Sequence, residues 1–284
     1  MILVTGATGK VGSALIKELE ALKTPYRAGV RHAGSMGMDS VAFDFDDPET
    51  FGAALTGVEK LFLLTSGGTE REGPAVDAAK AAGVRHIVKL SAWGSEREDF
   101  AFGRHHRAIE KKIEASGVPW TFLRPNGFMQ NYLTQAATIK GQGAFYLPSG
   151  GSKYSLIDAR DVGAVAARVL TATGHEGRAY ALSGPESLSN GEIARKLSAA
   201  TGKPVNYVDV PDDVFRKSVV ESGVPGPYAD DYIDLLHYYR AGKATAVTAD
   251  VESVTGKPPR TFDEFATDFA AQFKSEELPR STSI

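Results

Sequence analysis

The chain has 284 residues, enough for one large α/β domain or a domain with a smaller appendage. Hydrophobic residues make up 42% and charged residues 24%, ordinary globular values that argue against wholesale disorder and against a membrane protein. A net charge of −3 offers no basic field for a nucleic-acid backbone, and the lack of cysteine excludes disulfides, thiolate catalysis and cysteine-ligated metal, which fits a reducing cytoplasm.

The apolar start ILVTG runs at once into glycines and a charged helix, too short for a signal h-region or a membrane span. ILVT at 2–5 reads as a strand, and Val11, Ala14, Leu15, Leu19 and Leu22 recur at helical spacing from about Lys10 to Leu22. YRAGV ends a second strand at Arg31, and VAFDF at 41–45 reads as a third. DPETFGAAL opens a helix with Asp47 as cap and Pro48 at its first position. KLFLLT at 60–65 reads as a buried strand, followed by a helix through AVDAAKAAG that stops at Gly83. HIVKLS at 86–91 is the next strand, a helix from about Phe102 to Ala115 stops at Gly117, and WTFLRP at 120–125 is the sixth strand.

Strands alternating with helices imply parallel pairing through right-handed crossovers. The expected fold is therefore α/β, a Rossmann-like doubly wound parallel sheet with a smaller, helix-rich C-terminal substrate region. Residues 1–182 would form the nucleotide-binding domain, with 126–143 contributing to the substrate pocket, and 183–284 the smaller region. Helices are expected near 127–140, 159–173, 189–201 and 211–222, with a helix start at Ser189, and the polar tail 274–284 is expected to fray.

Three glycines, Gly6, Gly9 and Gly12, stand between the first strand and the first helix. That placement is what a dinucleotide turn requires: a tight bend, bare backbone beside a pyrophosphate, and a helix N-terminus facing the anion. A structural turn without ligand is the plain alternative. Arg31, at the end of the second strand where an acidic residue would accept from a ribose 2′-hydroxyl, favours a 2′-phosphate and hence NADPH. Its alternative is a solvated arginine. Asp44 and Phe45 would meet the adenine, and Thr65 and Ser66 would line the crevice towards the nicotinamide.

The blocks RHIVKLSAWG, SGVPWTFLRPNGFMQNYL and YSLIDARDVGAVAARVL resemble the NmrA-like members of the atypical short-chain dehydrogenase/reductase superfamily, with a likeness running from Met1 to about Phe273. The resemblance implies cofactor roles for Gly6, Thr8, Gly9, Lys10, Val11, Arg31, Asp44 and Phe45. It also implies a substrate pocket around Asn126, Gly127, Phe128 and Met129. It is similar in particular to NADPH-dependent quinone oxidoreductases and triphenylmethane reductases. The group also contains regulators that bind dinucleotide without turning it over, so fold and cofactor leave function open.

Short-chain dehydrogenases commonly place a Tyr-x-x-x-Lys pair on the helix after the fifth strand, and that helix, FAFGRHHRAIEKKIEAS, holds no tyrosine. The isoflavone-reductase-like branch places a lysine at its start, where Phe102 stands here. A Tyr-x-x-x-Lys spacing does occur at Tyr239 and Lys243, but so late in the chain that it reads as coincidence. The helix offers His106, four residues before Glu110, a spacing at which the carboxylate would fix the imidazole tautomer or raise its pKa. His106 is thus the candidate catalytic group, with a structural contact as the alternative. Trp93, Phe128 and Tyr132 are candidate flat walls for an aromatic substrate. The histidines show no metal-ligand spacing, and no metal is expected.

The expected function is hydride transfer from NADPH to a small conjugated acceptor: a quinone, imine, azo compound or cationic dye. Such an acceptor delocalises the arriving charge and asks little of a resident acid. The alternative is a non-catalytic NADP(H)-sensing regulator acting through a protein partner. Neither membrane nor nucleic acid is an expected partner, and monomer and homodimer both stay open.

Overall fold

The computed structural model describes residues 1–34, 39–65 and 68–274. Short, largely apolar runs build a seven-stranded sheet from β1 (Ile2–Val4), β2 (Tyr26–Val30), β3 (Ser40–Ala42), β4 (Lys60–Leu63), β5 (His86–Leu90), β6 (Trp120–Pro125) and β9 (Arg178–Leu182). Their order is β3-β2-β1-β4-β5-β6-β9, every neighbouring pair parallel. The order reverses between β2 and β4 around β1, so the carboxyl ends of β1 and β4 flank a topological switch point, where ligands bind in doubly wound sheets.

One face of the sheet is covered by α2 (Glu49–Leu55), α3 (Glu72–Ala81) and α4 (Ala101–Ser116), whose Phe51, Val76 and Ile113 pack on Leu61, Ile87 and Phe122. The other is covered by α1 (Lys10–Ala21), α6 (Ala159–Thr171) and α10 (Asp250–Thr255), through Leu15, Val165 and Val251 on Val4, Phe62 and Val88. The chain thus returns to the main sheet after 183, since Val251 and Val254 belong to its core.

A second apolar core gathers beyond the carboxyl end of β6. It joins a 3₁₀ segment (Met129–Gln135), α5 (Ala136–Gln142), β7 (Ala144–Leu147), β8 (Lys153–Tyr154), α7 (Asn190–Thr201), α8 (Asp212–Glu221), α9 (Gly226–Arg240), α11 (Phe262–Asp268) and α12 (Ala270–Phe273). β8 pairs antiparallel with β10 (Leu188–Ser189), and β7 pairs parallel with β11 (Asn206–Asp209). Ser189 caps α7 in a capping box with Glu192, as its sequence indicates.

Three expectations need correction. The third strand stops at Ala42, because Asp44 turns the chain, its carboxylate accepting the Asp46 N–H at 3.0 Å and its carbonyl the Asp47 N–H at 3.0 Å. Pro48 precedes α2 rather than opening it, although Asp47 Oδ1 still accepts the Glu49 N–H at 3.2 Å. The helix expected at 127–140 is a 3₁₀ stretch followed by the short α5.

Candidate active site

The glycine turn is built by close packing. Gly6 has φ +62°, and a Cβ there would stand 2.8 Å from the Leu64 side chain; a Cβ at Gly12 would overlap the Gly6 carbonyl oxygen. Gly9 begins α1 with its N–H on Gly6 O at 2.9 Å, and no side chain caps the helix. The first N–H groups of α1 therefore have no side-chain cap and could hold an anion. Thr5, fully buried, ties the end of β1 to β4: its hydroxyl lies 3.0 Å from Phe62 O and 2.9 Å from Leu64 O and accepts the Leu64 N–H at 2.9 Å.

Around this turn the other expected cofactor residues are near at hand in the fold. Thr8, Gly9 and Lys10 are exposed, while Val11 and Gly12 are buried beneath them. Arg31 is exposed just past β2, and among the described residues no carboxylate pairs with it. Asp44 is half-buried, and Phe45 packs edge-on against Phe43 with centroids 5.2 Å apart. Thr65 follows β4, its N–H donating to Glu72 Oε1 at 3.2 Å. Ser66 lies outside the described residues. An uncapped helix start beneath bare glycine backbone, with an exposed guanidinium just past β2 that no described carboxylate pairs, could fit a pyrophosphate and a 2′-phosphate.

The expected substrate segment is reached from the same turn. Lys10 Nζ donates to Gln130 O at 3.2 Å and lies 3.3 Å from Asn131 Oδ1. Partial desolvation lowers its pKa. The segment it meets is pinned from beneath, by Met129 N–H on Ile157 O at 2.9 Å and Gln130 Nε2 on Asp158 at 2.7 Å. Asn131 borders a cleft lined by Gly127, Phe128, Tyr132, Tyr154, Leu156, Tyr232 and Tyr239. Its volume, about 60 Å³, is small beside the ~300–1,000 Å³ of drug-sized ligand sites. Tyr154 and Tyr239 stack with centroids 5.0 Å apart.

Gly127, Phe128 and Tyr132 thus line the cleft, whereas Trp93, Asn126 and Met129 stand behind it. Trp93 Nε1 donates to Lys243 O at 3.0 Å. Asn126 is spent on Ser155 Oγ and Ala244 O, each at 2.9 Å, and on the Gly127 N–H at 2.8 Å. Met129 is 1% exposed, inside the second core.

His106 does not pair with Glu110, which corrects the expectation from their spacing. Glu110 is taken by Arg124 at 2.7 and 2.9 Å, by the hydroxyls of Ser91 and Ser95 at 2.6 and 3.0 Å, and by Arg107 at 3.1 Å. Burial alone would raise its pKa, yet these partners hold it below the ordinary carboxylate range. His106 instead presents Nδ1 to Lys89 Nζ at 3.4 Å. Burial, then the Lys89 charge, drives its pKa well below the usual histidine value, so the ring is neutral. Lys89 is fully buried and ion-paired to Glu72 Oε2 at 2.9 Å. Burial raises the Glu72 carboxyl and Lys89 opposes it. A hydrogen-bonded line therefore runs from Thr65, at the crevice, through Glu72 and Lys89 to His106.

Sequence reasoning passed over Glu72, Lys89, Asn131, Tyr154, Tyr232 and Tyr239. Lys89 carried a signal, a lone cation inside an apolar strand. Tyr239 carried another, in the spacing set aside as coincidence, although Lys243 is ion-paired to Asp99 at 2.5 Å and does not serve it.

Among the described residues no helix is long and apolar enough to cross a membrane, and no three His, Asp or Glu side chains converge as a metal site. The chain is 39% identical to the NAD(P)H azoreductase of Xenophilus azovorans over 283 residues, covering 96% of this chain and 99% of that one. Its fold matches the NADPH-dependent quinone oxidoreductase of Escherichia coli in complex with NADPH, at a TM-score of 0.84 and 29% identity, covering 95% and 99% of the two chains. It likewise matches the Citrobacter triphenylmethane reductase in complex with NADP(H), at a TM-score of 0.83 and 26% identity, covering 95% and 100%. The description of the NmrA-like family fits residues 1–266, a span that holds the glycine turn, the parallel sheet and most of the second core: the chain belongs to the NmrA-like family.

Proposed function

We propose that this protein is an NADPH-dependent oxidoreductase that reduces a planar conjugated acceptor, a quinone or an azo or cationic dye, in a cytoplasmic setting. One observation carries the reading: Asn131, on the rim of the aromatic cleft, is held by Lys10 of the glycine turn. Cofactor turn and acceptor cleft are thereby one site. Its likeness to an azoreductase, a quinone oxidoreductase and a dye reductase over nearly the whole chain supports the same class.

Bound NADPH supplies the hydride that the acceptor takes up. The chain's residues do the rest. The N–H groups of Lys10, Val11 and Gly12 at the start of α1 hold the pyrophosphate, and Arg31 holds the 2′-phosphate. Phe128 and the tyrosine rings fix the plane of the acceptor, and Leu156 and Leu235 keep water from its buried edge. His106, neutral, offers a hydrogen-bond donor rather than a charge. Residues 126–157 and 183–245 act as the substrate region, and with a net charge of −3 the partner is a small molecule rather than a nucleic acid.

The test is loss of NADPH absorbance with a panel of quinones and azo dyes, beside calorimetry of NADPH binding on the same preparation. Turnover well above the uncatalysed rate is expected. Tight binding without turnover on any acceptor would overturn the reading in favour of a dinucleotide-sensing regulator.

A further inference from the structure

We infer that Tyr239 is the hydrogen-bond donor to the oxygen of a carbonyl acceptor, holding it as negative charge develops there, an assignment that rests on the reductase reading above. Tyr239 lies in the last turn of α9, far along the chain from the glycine turn, yet α9 returns it to the carboxyl end of β6. Its ring lines the cleft with Phe128, and its hydroxyl lies over Gly127, where a Cβ would stand 2.9 Å from the phenol oxygen.

Of the cleft tyrosines, it is the one with a proton to offer at that end. Tyr132 gives its proton to Asn190 Oδ1 at 2.5 Å, and its oxygen lies 3.2 Å from that of Tyr154. Among the described residues nothing accepts the Tyr239 proton. Tyr232 stands two turns earlier on α9, ~10 Å away along the helix axis.

Burial, then the neighbouring Tyr232, Tyr154 and Tyr238, raises the Tyr239 pKa, and the Gly127 N–H opposes this only in part. No lysine serves to lower it, since Lys243 is committed to Asp99. Tyr239 therefore keeps its proton throughout. The acceptor gains hydride, two electrons and one hydrogen, and becomes a hydroquinone monoanion whose oxygen accepts from Tyr239. The proton that completes the hydroquinone comes from solvent on release. This is oxyanion stabilisation, distinct from a tyrosine that shuttles a proton.

The test is Tyr239→Phe, which keeps the stack on Tyr154. A quinone needs an oxyanion held, whereas a cationic triphenylmethane dye is neutralised by hydride at carbon and develops none. Loss of one oxyanion donor should cut kcat on the quinone by about 10²-fold. The loss on the dye should be far smaller. Equal losses on both would mean that Tyr239 only packs, and no loss on the quinone would also overturn the assignment.

A second readout needs no turnover. 4-Nitrophenol, a phenolate mimic of the product, should bind the NADP⁺-loaded wild type with its absorbance shifted towards the phenolate and lose that shift in Tyr239→Phe. The same shift in both proteins would overturn the assignment. A wild type inactive on both acceptors would instead sink the reductase reading, leaving the phenolate measurement to decide Tyr239.

Discussion

Lys89 Nζ stands 2.9 Å from Glu72 Oε2 and 3.4 Å from His106 Nδ1, a buried cation shared between a carboxylate and an imidazole. Because both charged groups are essentially out of solvent, neither can lose its partner cheaply.

Lys89→Met should therefore destabilise the fold by about 3–5 kcal/mol, since it strands Glu72. The carboxyl, already raised by burial, would rise further. A carboxylate with a raised folded pKa binds its proton more tightly in the folded state, so the variant's stability should fall as pH climbs from the ordinary carboxylate range towards neutrality. Pairing it with Glu72→Leu should recover most of the loss. Urea denaturation of the single and double variants at two pH values checks this; a double variant no more stable than the single would refute it.

The same lysine sets the tautomer of His106. With Nδ1 accepting from an ammonium, the ring proton sits on Nε2. Nitrogen NMR of the histidine should show a neutral Nε2–H form throughout the neutral range. His106→Ala should lower kcat while leaving the Kd for NADPH alone; an unchanged kcat would return His106 to a structural role.

On the proposed reading, Arg31 is the residue that would separate the two nicotinamide cofactors. Its guanidinium is exposed and, among the described residues, unpaired by any carboxylate. Arg31→Ala should weaken NADPH binding by roughly 10- to 100-fold, the worth of a charged hydrogen bond, and leave NADH nearly unchanged. Calorimetry with both cofactors decides it, and equal losses would remove the 2′-phosphate assignment.

Much of the parallel sheet is legible in the sequence because its buried strands are short apolar runs that alternate with helical patterns, as at HIVKL before α4. The glycine turn is legible for the same reason: its residues are adjacent in the chain. The aromatic cleft is not, since it joins Gly127, Tyr154 and Tyr239, and only the return of α9 past β6 brings them together. The His106 and Glu110 reading failed through competition. Spacing puts both on neighbouring helical positions, but it cannot show that Arg124 reaches in from β6 and Ser91 from the end of β5. Nor can it show that β5 supplies a buried lysine instead. Likewise Asn126 belongs to a telling sequence block, yet its amide is consumed in bracing Ala244.

His86 gives the acid limit of stability a specific source. Thr121 donates its hydroxyl to His175 O at 2.7 Å, so it accepts from His86 Nε2–H at 2.9 Å, leaving Nδ1 buried and, among the described residues, without a partner. Burial, then the charge of Lys60, pulls the folded pKa from 6.5 to about 4. Well above pH 6.5 both folded and unfolded chains carry this ring neutral, and it contributes no slope. As pH falls from 6.5 to 4 the unfolded chain takes up a proton that the folded chain refuses, so stability drops, by on the order of 3 kcal/mol in all. His86→Gln keeps a donor for Thr121 and removes the titration. Urea midpoints measured across that window should lose close to one proton's worth of slope, the remainder coming from His106 and His175 and, towards pH 4, from carboxylates such as Glu110 and Asp158, whose pKa values are also lowered. An acid limb unchanged in the variant would show that His86 takes up its proton while folded, and that the space around Nδ1 admits water.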